Sequence, residues 1–147
     1  MSGELISRVI LSHGLPNANH RTSLTLLEVY LRTFRDLPEA PETNIGDEWA
    51  PWVNEYIRES KRLVTIRRNA KLFTYLHSLG ASGVRRKNNV VIDFTEYPPD
   101  IDDPWNYYQN RHEQLWTEFA RKFLSRWNVP DLADETDKGK RILAARL

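Results

Sequence analysis

The stretch HGLPNANHRT, residues 13–22, joins two apolar-periodic segments and reads as a loop feeding a helix N-terminus. Upstream, Leu5, Ile6, Val9 and Ile10 of residues 4–12 fall on one helical stripe. Downstream, from Asn19 to about Arg35, Leu24, Leu27, Leu31 and Phe34 recur at intervals of three and four and build one apolar face. The loop itself carries a histidine, two asparagines, an arginine and the small Ala18. A helix N-terminus exposes unpaired N–H groups and the positive end of the dipole, which suits an anion. Arg21, inside the first turn, can fork onto phosphate oxygens. His13 titrates near neutrality and can act as a base beside that site. Asn19 can cap the helix with the same exposed N–H groups, and Thr22 and Ser23 can satisfy other first-turn donors.

Outward from this stretch the chain stays mainly helical. Pro38, Pro41 and Gly46 break it into a loop, with Thr43 or Asp47 available to cap the next helix. Trp49, Trp52, Val53, Tyr56 and Ile57 follow at helical spacing. The pattern runs on through Leu63, Ile66, Phe73, Leu76 and Leu79, and Gly80 and Gly83 end it. Either one long helix or two with a bend near Thr65 fits. Residues 90–95, VVIDFT, are β-branched and aromatic and predict one short strand, for which the sequence shows no clear partner. Asp103 before Pro104 starts a long helix to Trp127, with Tyr108, Leu115, Trp116, Phe119, Phe123 and Leu124 on its face. Pro130 ends it, and a short helical pattern covers residues 138–146.

A chain of 147 residues can bury one real core, so residues 1–147 are read as a single domain. A net charge of +1 selects neither nucleic acid nor a membrane surface as partner. The lack of cysteine excludes disulfides and thiolate metal sites and fits a cytoplasmic protein. No apolar run reaches membrane-spanning length, and the N-terminal Met-Ser-Gly-Glu does not read as a signal peptide.

The order and spacing of residues 13–21 resemble the signature of the Fic/Doc family, H-x-F-x-D/N-A/G-N-x-R. His13 falls at the family histidine, Leu15 replaces the aromatic, and Asn17 replaces the acidic residue. Ala18, Asn19 and Arg21 match. The run Ala-Asn-His-Arg-Thr is closest to the Doc branch, and the family's second arginine is Leu24 here, again Doc-like. The likeness covers about Glu4 to Leu37. It implies a mainly α, Fic/Doc-like helical domain with one short β-strand and a divergent C-terminal helical region. It also implies transfer of a phosphate, ahead of AMP, from ATP or another nucleoside triphosphate to a protein hydroxyl. On this reading His13 is the general base, and Asn17, Ala18, Asn19, His20, Arg21 and Thr22 bind the nucleotide. Asn17 would be a Mg²⁺ ligand, offering a carbonyl oxygen but no charge. The partners implied are the nucleotide, a target protein, and an antitoxin or a second copy of the chain. The family's upstream helices and target-binding β-hairpin have no room before residue 13, so downstream segments or a partner would replace them. Its short self-inhibitory signature is absent.

Other features carry less. Lys61, Arg62, Arg67, Arg68 and Lys71 form a basic stripe, with Arg85, Arg86 and Lys87 beyond. At this net charge a solvated helix face explains them better than nucleic-acid binding. His77 and His112 lack a metal-ligand pattern, and structural roles are expected for both. Trp49 and Trp52 read as core or as a contact between packed parts. The alternatives to transfer are a non-catalytic relative that binds nucleotide or a partner, and a helical nucleic-acid-binding module.

Overall fold

The computed structural model describes residues 2–12, 19–33, 36–134 and 145. Among them are four α-helices: α1 (Ser2–Ser12), α2 (Asn19–Arg32), α3 (Pro51–Ser78) and α4 (Pro104–Arg126). Two antiparallel two-stranded sheets accompany them. One pairs β1 (Asn44–Ile45) with β2 (Glu48–Trp49), the other β3 (Gly83–Arg85) with β4 (Val91–Asp93). The expected segments at residues 34–35 and 138–144 lie outside the described residues.

The chain divides into two compact units, Met1–Asn54 with Glu113–Leu147, and Glu55–His112. In the first, α1 packs on α2. Ile6 and Ile10 of the predicted α1 stripe are buried, as are Leu24, Leu27 and Leu31 of α2. Trp116, Phe119 and Phe123 of α4, with Trp127 just past its end, recur at three and four, so their rings meet along one face. Phe119 stacks on Trp52 at 5.4 Å and 6°, and Phe123 meets Trp127 edge-on at 5.3 Å and 78°. Both are geometries that aromatic quadrupoles favour. Trp127 also donates its indole N–H to the Pro38 carbonyl at 3.2 Å.

In the second unit Ile57, Leu63, Ile66, Ala70 and Phe73 of α3 are buried, with Ile92, Phe94, Tyr97 and Tyr108. The bend in α3 lies at Asn69 (φ −115°, ψ 15°), four residues beyond the expected Thr65. Asn69 donates Nδ2 to the Thr65 carbonyl at 2.7 Å, a local side-chain bond that competes with the helical ladder. Gly80 (φ +90°) closes the helix with paired bonds, Ala81 N–H to Leu76 O and Gly80 N–H to His77 O.

Three expectations are corrected. The strand at Val91–Asp93 has a partner, Gly83–Arg85, so Gly83 belongs to a strand rather than to the helix stop. A second hairpin at residues 44–49 adds a further pair that periodicity missed, because each strand is only two residues long. Trp49 therefore lies in β2, and α3 begins at Pro51, the first-turn position where proline costs no hydrogen bond. Among the described residues, neither Thr43 nor Asp47 caps α3 through its side chain. Instead the Thr43 carbonyl accepts the Ala50 N–H at 2.9 Å and extends the hairpin ladder. Gly46 (φ +59°) occupies the first position of the two-residue turn, where mirror-image turns favour glycine.

Candidate functional site

Helix α2 opens at Asn19, at the boundary the sequence indicates. His13, Asn17 and Ala18 lie outside the described residues. The four that follow divide between interior and solvent. Asn19 is buried, and its carbonyl accepts the Ser23 hydroxyl at 2.6 Å. His20 is half-buried, its ring 6.0 Å from that of Trp116. Arg21 and Thr22 are exposed.

Arg21 is bound to a segment 26 residues away. Its Nη2 donates to the Asp47 carbonyl in the hairpin turn at 2.9 Å, and its guanidinium stands 5.8 Å from the Trp49 ring. These contacts orient the side chain along the flank of α2. There it lines a cavity of about 180 Å³. Leu24, Thr25 and Glu28 contribute from the same helix face, one and two turns on. Pro41, Thr43, Asn44 and Trp49 close it from the segment that ends in the hairpin. Asn19 and His20 are not among its lining residues. Leu24, at the place of the family's second arginine, is buried and forms part of the apolar wall.

The charges in this cavity are unequal in their commitments. Among the described residues Arg21 makes no ion pair and has one hydrogen bond for its five N–H groups. Glu28 is paired: its Oε1 accepts Arg32 Nε at 3.1 Å and Nη2 at 3.0 Å. Among the described residues, then, the Arg21 guanidinium has no acidic partner and stands beside an aromatic face. The Asn44 Oδ1 atom is buried with no hydrogen-bond partner among the described residues, while Nδ2 donates to Thr43 Oγ1 at 3.3 Å. Sequence reasoning picked Arg21 but missed Thr25, Glu28, Thr43, Asn44 and Trp49 as its companions. The available signal was Gly46-Asp47, a two-residue turn between short polar-apolar pairs.

A family described as of unknown function, DUF8172, matches residues 1–147. The chain belongs to DUF8172. It matches no curated protein and no solved structure. Within this DUF8172 chain the Fic/Doc likeness therefore rests on the signature residues themselves.

The second unit has polar clusters of a different kind. Ser60 and His112 are fully buried and share a hydrogen bond of 2.8 Å between Oγ and Nε2. Burial removes them from any substrate, in line with the structural role expected for His112. Glu59 accepts the Tyr97 hydroxyl at 2.6 Å and pairs with Arg62 and Arg111. Burial and then the Glu59 carboxylate push the Tyr97 phenol well above its ordinary value. Burial pushes Tyr108 up to about 12, with Arg111 pulling the other way. Arg67, from the basic stripe, is buried, donates to Gln109 and the Trp105 carbonyl, and lies 3.3 Å from the Trp105 ring centre. Its pKa is lowered by burial and by Arg68. With Arg62 and Arg67 engaged, the stripe loses two of its five cations to internal contacts. Among the described residues no group of three His, Asp or Glu side chains could hold a metal ion. No described helix is long and apolar enough to cross a membrane.

Proposed function

We propose that this protein binds a nucleoside triphosphate, ATP in the first instance, through Arg21 and transfers its terminal phosphate to a hydroxyl of a target protein. The observation that carries the reading is the state of Arg21: a guanidinium without an acidic partner among the described residues, held in place at a cavity by a backbone carbonyl and an aromatic ring. A fixed, uncompensated arginine is the side chain best matched to phosphate oxygens. The transfer chemistry comes from the resemblance. His13 takes the proton of the target hydroxyl, and the freed oxygen attacks the γ-phosphorus. The bond to the β-phosphate oxygen breaks, and ADP leaves. Mg²⁺ would arrive with the triphosphate, which supplies most of its oxygen ligands, and Asn17 would add one carbonyl oxygen. An antitoxin or a second copy of the chain could cover the site.

The test follows label from ATP into protein in a cell extract. Label from the γ position alone is the expected result, and His13→Ala should cut it by roughly 10²–10⁴-fold. Label from the α position would replace phosphate transfer by AMP transfer. Equal labelling by wild type and His13→Ala would remove His13 as the base. ATP binding with no transfer from either position would leave a non-catalytic nucleotide-binding relative.

A further inference from the structure

The α2 cavity has a second end that the nucleotide reading does not use. Glu28 stands seven residues after Arg21, on the same helix face and about 10 Å further along the axis. Its carboxylate is fixed from outside the cavity. Both bonds from Arg32 go to Oε1, and Arg32 is itself tied to the Leu37 and Pro38 carbonyls at 3.0 and 3.3 Å and lies 5.4 Å over the Trp127 ring. Among the described residues Glu28 Oε2 takes no hydrogen bond. Arg21 is likewise fixed, by the Asp47 carbonyl. Among the described residues, Arg21 at one end therefore keeps guanidinium N–H groups without a partner, and Glu28 at the other keeps one unpartnered carboxylate oxygen. The flat Trp49 ring and the apolar Leu24 and Pro41 line the same cavity.

Charge balance defines the occupant. Arg32 already pairs with Glu28, which leaves the Arg21 charge without a carboxylate partner among the described residues. A monoanion cancels it. A ligand ammonium at Glu28 would meet Arg32, whereas a neutral O–H or N–H donor would not. We infer that this cavity is a binding site for a small, flat organic monoanion whose carboxylate sits on Arg21 and whose far end donates a hydrogen bond to Glu28. An aromatic acid with a hydroxyl opposite its carboxylate is the simplest member of the class. Its ring lies along Trp49, its carboxylate takes the fork of Arg21, and its hydroxyl reaches Oε2. This site stands without the nucleotide reading, although both use Arg21, and the two ligands should therefore compete.

Titration calorimetry with 4-hydroxyphenylacetate, phenylacetate and 4-methoxyphenylacetate tests it on the full chain. The hydroxyl compound should bind the wild type at least about tenfold tighter than the other two, since a hydrogen bond to a charged group discriminates by that much. Arg21→Gln should abolish binding of all three. Glu28→Ala, at a half-buried helix pair, should make the three alike. Equal affinities in the wild type, or no binding, would overturn the inference, and that comparison needs no variant. Acid binding without ATP binding would remove the nucleotide reading and keep this one. ATP binding without acid binding would do the reverse.

Discussion

Gly3 occupies a place where no side chain fits. A Cβ there would lie 2.3 Å from the Thr117 amide nitrogen and 2.4 Å from its Cα, on α4. Backbone cannot yield as a side chain can, so Gly3→Ala should push α1 off α4 and cost about 1–3 kcal/mol, measured by urea unfolding. An unchanged midpoint would show that α1 does not pack there. Ser60 poses the opposite case. Ser60→Ala leaves a buried imidazole nitrogen without its 2.8 Å partner and should cost about 1–3 kcal/mol. The two phenols carry a pH dependence. Tyr97 and Tyr108 both hold their protons to higher pH when folded than when unfolded, Tyr108 up to about 12. The folded chain then binds more protons than the unfolded one above the ordinary tyrosine value of about 10. Their contribution is complete below that pH and is lost as pH rises through the raised values. Urea midpoints should fall across that alkaline window, and less steeply for Tyr108→Phe. A flat profile in the wild type would contradict the burial of these hydroxyls. At this scale the sequence made the apolar core readable. It could not show that Gly3 faces backbone, or that Arg67 and His112 are buried with partners, because those facts depend on contacts far along the chain.

Helices were legible because their evidence repeats. Leu24, Leu27 and Leu31 mark α2 three times over, and Asp103-Pro104 marks the start of α4 by chemistry that works locally. The Asp103 side chain accepts the Asn106 N–H at 3.3 Å, as an N-cap does. The hairpin at residues 44–49 has too few residues to show alternation, and Trp49 happens to fall at helical spacing from Trp52 and Val53. The bend in α3 was legible as a possibility and misplaced by one turn, since Asn69 acts through its own side chain and not through apolar spacing. The stop at Gly80 was readable, and its role is specific. At φ +90° any Cβ is strained, so Gly80→Ala should cost about 1–2 kcal/mol, although open space surrounds the position. Thermal unfolding measures it. A neutral substitution would mean that the helix end is not closed by the paired bonds to Leu76 and His77.

For the whole molecule, membership of DUF8172 covers the full length of the chain, while the signature that points to chemistry covers only residues 13–21. The sequence singled out Arg21, which lines the cavity, because a helix start is a local feature. It did not locate the cavity, whose other wall comes from residues 41–49 and exists only once the hairpin has folded back on α2. The central question is whether the Arg21 guanidinium, which has no acidic partner among the described residues, is an anion receptor. Titration calorimetry of ATP with Mg²⁺, on folded wild type and on Arg21→Ala, measures that directly. Loss of a charge-assisted hydrogen bond should weaken binding by about 1.5–3 kcal/mol, roughly ten- to a hundredfold. Equal affinity in the two proteins, or no binding of ATP by the wild type, would contradict it.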